Sequence, residues 1–133
     1  MMEVFRLGAA GGKSARSEGP YTGEIWRDVV LEGDTTVVAN VFFAPCARTH
    51  WHTHPKGQLL IVVAGEGLVV DEDGPVLVTV GDMVWTPPHV RHWHGASTQR
   101  SMMHTGVTYG GVEWAEEVSQ PDYEAACRAT QGL

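Results

Sequence analysis

Hydrophobic and polar positions alternate along most of this chain, and from about Gly23 to Val107 they read as one short strand after another. The segments Ile25 to Leu31 and Thr35 to Phe43 are rich in β-branched and aromatic residues, with the turn signal Glu32-Gly33-Asp34 between them. The pattern returns in the histidine segment 50–54, in the run 59–64, and over Leu68 to Val70, Val76 to Val80, Met83 to Thr86, Arg91 to His94 and Met102 to Thr108. Breaks fall at Gly65, Gly67, Asp73-Gly74-Pro75, Gly81-Asp82, Pro87-Pro88 and Gly95. Short strands at such even spacing predict an all-β sandwich or barrel. Only Asp122 to Thr130 has helical character, because Pro121-Asp122 offers a start and Ala125, Ala126 and Ala129 favour helix. The small, polar stretch 8–19 predicts an arm or loop. Without an internal repeat, the chain reads as one domain over 1–133: an N-terminal arm to residue 22, a barrel over about 23–110, and a C-terminal segment 111–133.

A length of 133 residues and a hydrophobic fraction of 43% fit a single globular domain with a sizeable core. The net charge of -7, with nine Lys and Arg scattered from Arg6 to Arg128, argues against a nucleic-acid partner. The longest apolar run, Leu59 to Ala64, falls far short of the roughly twenty residues that span a bilayer, so no membrane partner is expected. Met1 to Arg6 lacks a basic segment followed by an apolar one, which argues against a signal peptide. Cys46 and Cys127 are expected as free thiols in a reducing cytoplasm, the expected location. Gly12-Lys13-Ser14 resembles the end of a phosphate-binding loop, but Leu7 stands where that loop needs glycine and no strand precedes it.

The histidines change this picture. All seven fall between positions 50 and 104: His50, His52, His54, His89, His92, His94 and His104. Side chains alternate faces along a strand, so His52 and His54 share a face, as do His92 and His94. In a closed barrel both pairs can look into one interior. Gln58 follows the turn at Pro55-Lys56-Gly57 and lies close to His54. Imidazole nitrogens with an amide oxygen suit a half-open site for Mn, Fe, Co, Ni or Zn.

The spacing of these residues resembles the conserved-barrel cupins. Their first motif is usually G-x5-H-x-H-x3-E-x6-G, and this chain has Cys46, His52, His54, Gln58 and Gly65 at those places. Their second is usually G-x5-P-x-G-x2-H-x3-N, and here it reads Gly81, Pro87, His89, His92 and Ala96. The segments from Arg48 to Gln58 and from Val84 to Ala96 are similar to small bacterial cupins that include manganese-dependent hydroxynitrile lyases. That resemblance implies a single cupin (jelly-roll) β-barrel with a short C-terminal helix. It also implies one divalent metal ion per chain, manganese foremost with Fe, Zn, Co or Ni as alternatives, held by His52, His54, Gln58 and His92. A late-strand histidine near the substrate corresponds to His104. Association into a homodimer or homotetramer is implied as well, with the N-terminal arm and the strand around Trp26 as candidate surfaces.

The departures from the family pattern are local. His50 shares the parity of His52 and His54, and could be a fifth ligand, a base behind the ligands, or a polar residue at the barrel mouth. His89 replaces a turn glycine and reads as an exposed loop residue. Cys46 replaces the opening glycine. Val41, with Ala39 and Phe43 on its face, lines the pocket if its strand runs under the metal, and core packing accounts for these residues equally well.

Gln58 is neutral where cupins usually carry glutamate, so the ligands leave both charges on the ion. That favours Lewis-acid work over oxidation, with His104 or His94 moving a proton. The expected function is a metal-dependent lyase acting on a small, mostly apolar hydroxy or carbonyl compound, as in cyanohydrin cleavage. An iron-dependent dioxygenase, a cupin isomerase or cyclase, and a binding protein without turnover are the alternatives.

Overall fold

The computed structural model describes residues 1–5 and 15–131. Residues 6–14 of the expected arm, and with them Gly12-Lys13-Ser14, lie outside the described residues. The described part contains twelve strands and one helix: β1 (Ala15–Arg16), β2 (Tyr21–Thr22), β3 (Ile25–Glu32), β4 (Thr36–Phe43), β5 (Arg48–Thr49), β6 (His52–Thr53), β7 (Gln58–Asp71), β8 (Gly74–Thr79), β9 (Met83–Thr86), β10 (His92–Ala96), β11 (Met102–Tyr109), β12 (Glu113–Trp114) and α1 (Gln120–Thr130). The expected all-β fold with one short C-terminal helix is the fold observed.

Every strand contact is antiparallel, and the sheet curls on itself in the order β1-β3-β4-β11-β7-β10-β5-β2. Its first wall aligns Arg27, Val41, His104 and Val62 across β3, β4, β11 and β7. Neighbours in such a row project to the same face, so β4 and β11 present their alternate residues to one interior. The second wall is β10 with β5 and β6, where His92 lies opposite His52.

The strand β7 joins the two walls and corrects the reading of Gly65 and Gly67 as breaks. The runs 59–64 and 68–70 form one 14-residue strand. Its first half pairs with β11 and β9, its second with β10 and β8. The glycines let it bend instead of ending it. Gly65 has φ +72°, and a Cβ there would sit on the carbonyl oxygen of Ser101. A Cβ on Gly67 would strike the carbonyl oxygen of Gly95 and the Met102 sulfur. Gly95 itself lies inside β10, paired on both sides, not at a strand end.

Two apolar clusters hold the walls. Ile25, Phe43, Ala47, Val62, Val78, Ala96 and Met102 fill the interior at one end. Leu68, Val70 and Trp93, on the outer face of the second wall, pack under α1 with Val118, Tyr123, Ala126 and Cys127. The helix begins at Ser119, whose hydroxyl accepts from the Asp122 amide at 3.2 Å, and Pro121 occupies its first turn. Buried Arg48 ties β5 to this segment: it donates to the Val118 and Cys46 carbonyls and to the Gln120 side chain, with its guanidinium 4.5 Å from the Tyr123 ring centre. Cys46 and Cys127 are both free thiols. No described helix is long and apolar enough to cross a membrane.

Part of the arm expected as loop is strand, since Ala15 and Arg16 pair with Arg27 and Trp26 along the β3 edge. A free edge strand exposes unpaired backbone groups, and this pairing covers that edge.

Candidate metal centre and adjoining histidine pair

His52 enters from β6, His54 from the turn that follows, and His92 from the start of β10. The His52 ring centre lies 4.2 Å from that of His92 and 5.0 Å from that of His54, with 5.2 Å between His54 and His92. One ring nitrogen from each of the three lies within 4.8 Å of the others. All three rings are buried.

Backbone carbonyls fix their orientation. The Nδ1–H groups of His52, His54 and His92 donate to the carbonyls of His50, Gly111 and Val90 at 2.9, 2.9 and 3.0 Å. Each ring is thereby left with its lone pair on Nε2, the form that ligates a metal. Gln58 stands beside His54. Its Nε2 donates to Thr108 Oγ1 at 2.8 Å. The Gln58 Oε1 and the Nε2 atoms of His54 and His92 are buried with no hydrogen-bond partner. Buried polar atoms without partners are uncommon and costly. A cation shared among them would satisfy all at once, so this donor set fits a divalent ion of the Mn-to-Zn series.

Burial, followed by the neighbouring His92, pushes the His52 pKa down to about 2. Burial alone leads for His92, pushed down to about 4, and lowers His54 too. The rings are therefore neutral around pH 7, where protons do not compete for their lone pairs.

A second pair adjoins the cluster. His104 Nε2 lies 3.1 Å from His94 Nδ1, and both residues are buried. The outer nitrogens, His94 Nε2 and His104 Nδ1, have no partner. Phe43 packs against both rings at 5.8 and 5.2 Å, and the His94 amide donates to Thr49 Oγ1. Burial pushes His104 down to about 4 and His94 well below the usual histidine range.

All of these groups but His92 open onto one cavity of about 140 Å³. Its wall includes His52, His54, Gln58, His94 and His104, together with Ala39, Val41, Phe43, Val112 and Trp114. Val41 thus stands where its face predicts. Exposed Arg27 and half-buried Tyr21 form part of the rim. The space is small beside drug-sized pockets of roughly 300–1,000 Å³. A larger groove of about 500 Å³ between β8 and β9 touches only His92 among these groups, so the other histidines and Gln58 gather around the smaller cavity.

His50 belongs neither to the three-histidine cluster nor to the cavity wall. Strand parity misleads there because the chain bends at Trp51 between β5 and β6, which breaks the alternation. Its carbonyl, not its ring, serves the site by holding His52. His89 is exposed, as expected of a loop residue, and its amide donates to the His54 carbonyl.

Sequence reasoning missed several contributors. Thr108 shares the face of His104 by two-residue spacing, and that signal could have found it. Gly111 and Trp114, whose ring lies 4.7 Å from that of His52, arrive from beyond the barrel with no periodic pattern to betray them.

The chain matches the family described as Cupin domain over residues 39–106. It is 39% identical to a protein named (R)-mandelonitrile lyase from Granulicella tundricola, covering 92% of this chain and 98% of that one. Among solved structures it is similar to a cupin-like protein from Thermotoga maritima, with TM-score 0.83 and 34% identity over 90% of this chain and 96% of that one. The polyketide cyclase RemF from Streptomyces resistomycificus shares the fold at TM-score 0.71 and 17% identity, over 93% of this chain and 92% of the other.

Proposed function

The chain belongs to the cupin domain family, and from that premise we propose that it is a metal-dependent lyase that cleaves or forms cyanohydrins of small carbonyl compounds. The carrying observation is the buried His94–His104 pair, bonded at 3.1 Å and lining the same cavity as His52 and His54 of the three-histidine cluster. His52, His54, Gln58 and His92 are the proposed ligands, and manganese the proposed ion. An ion bound there supplies Lewis acidity with its full double charge, because none of these ligands is negative.

The chain's own residues do the rest. Val41, Phe43 and Trp114 give the substrate an apolar bed and keep water from it. One proton lies between His94 Nδ1 and His104 Nε2, so one outer nitrogen keeps a lone pair. That atom is His94 Nε2 when His94 donates, and His104 Nδ1 when His104 donates. It takes the hydroxyl proton as the bond to the nitrile carbon breaks; the electron pair of that bond leaves with cyanide, which recovers a proton to depart as hydrogen cyanide.

The test is mandelonitrile cleavage by the manganese-loaded protein and its His104→Ala variant. A loss of roughly 10²–10⁴-fold in kcat at unchanged metal content is expected. Full turnover in the variant would remove the proton-transfer role, and oxygen uptake without cleavage would favour a dioxygenase. We further propose a homodimer or homotetramer, supported by exposed Val76, Val80, Met83 and Trp85 around the free edges of β8 and β9. A mass of 14.5 kDa in solution, that of a single chain, would contradict it.

A further inference from the structure

We infer that the cavity takes a small organic anion, and that Arg27 selects its carboxylate. The inference deepens the proposed function and rests on reading this cavity as the substrate site. The chain carries sixteen Asp and Glu against nine Lys and Arg, yet no carboxylate stands among the residues lining the cavity. Among the described residues, Arg27 is the one arginine or lysine in that lining.

Two arginines of the fold make a useful contrast. Arg48 is buried, and its guanidinium is committed to the Val118 and Cys46 carbonyls and the Gln120 side chain. It is a structural arginine. Arg27 is exposed, and among the described residues its guanidinium makes neither an ion pair nor a hydrogen bond. Residues 6–14 hold no Asp or Glu that could pair with it. No carboxylate of the described residues pairs with that charge.

Register fixes where the charge sits. Arg27 lies opposite Val41, and Val41 opposite His104, so the three share the concave face. Strands are spaced about 4.8 Å apart, which puts the Arg27 backbone on the order of 10 Å from that of His104. Apolar Val41 lies between them. A ligand bridging the two has three parts: a carboxylate at the rim, an apolar middle, and a hydroxyl or carbonyl at the histidine end. The planar guanidinium matches a carboxylate with two parallel hydrogen bonds, which a neutral amide cannot reproduce.

Benzoate and benzamide have nearly the same shape and differ in charge, which makes them the probes. Calorimetric titration of the metal-free protein at pH 8 and low salt avoids capture of the carboxylate by an ion. Benzoate is expected to bind at least about tenfold more tightly than benzamide, with the preference reduced in high salt. Arg27→Gln is expected to bring the two within about twofold, while Arg27→Lys keeps part of the preference. Equal binding of the two probes, no benzoate binding at millimolar concentration, or an unchanged benzoate affinity in Arg27→Gln would overturn the inference. A protein that cleaves mandelonitrile with manganese but shows no benzoate preference removes this inference alone. A preference set by Arg27 in a protein without cleavage supports it and removes the lyase reading.

Discussion

Cys46 and His89 hold backbone angles that side chains rarely adopt, with φ of 72° and 64°. Both occupy positions where the cupin motifs carry glycine, so the chain keeps the turn while giving up the residue that makes it easy. A non-glycine residue in this region costs about 1–2 kcal/mol, partly offset by the extra freedom glycine has when unfolded. Cys46→Gly and His89→Gly are each expected to stabilise the protein by about 0.5–1 kcal/mol, read from the urea midpoint at unchanged slope. Loss of stability in both would contradict the strain. The histidines carry a second prediction. Their folded pKa values lie below the unfolded value near 6.5, so the unfolded chain takes up protons that the folded chain refuses. Metal-free stability should therefore be level above about pH 7 and fall as pH drops through 6.5, continuing towards 4 for His92 and His104, by up to ~1.4 kcal/mol per pH unit per histidine. Thermal unfolding of the metal-free protein from pH 8 to 5.5 checks this, and a midpoint that rises on acidification contradicts it. At this scale the shared facing of His52 and His54 was legible from their spacing, whereas the orientation of His50 was not, because one bend at Trp51 undoes parity.

The alternation of apolar and polar residues made the longer strands legible at the level of elements but not the two-residue β1, β2, β5 and β12, and the failure at β7 is instructive. Glycine reads as punctuation in a sequence, but Gly65 and Gly67 serve close approach, where the backbone of another segment leaves no room for a Cβ. Gly74 offers a control, since it has φ +121° but nothing within 4 Å of a Cβ. Gly65→Ala is expected to cost about 3 kcal/mol or more, against about 1 kcal/mol for Gly74→Ala, by urea unfolding. Similar costs for the two would mean that the Ser101 contact does not matter. The helix was legible from its alanines, but Ser119 as its cap was not singled out beside the stronger signal of Pro121.

At the scale of the molecule, the site is completed by chain that lies outside both motifs. The pairing of β12 with β6 sets Trp114 opposite His52, and Gly111 holds His54 through its carbonyl. No local pattern announces this closure, because it depends on where the C-terminal segment returns after the barrel is built. The meeting of His52, His54 and His92 was legible because the two motifs hold them at fixed spacing on segments that the fold brings together. Loading the ion should also stabilise the fold by mass action, since the unfolded chain offers no such cluster. The most direct test of the metal centre is metal content by plasma mass spectrometry, on the purified protein and on a His52→Ala, His54→Ala double variant. About one divalent ion per chain, manganese foremost, lost in the variant, is the expected result. No retained metal in the intact protein after incubation with each of Mn, Fe, Co, Ni and Zn, or equal metal in the variant, would contradict it.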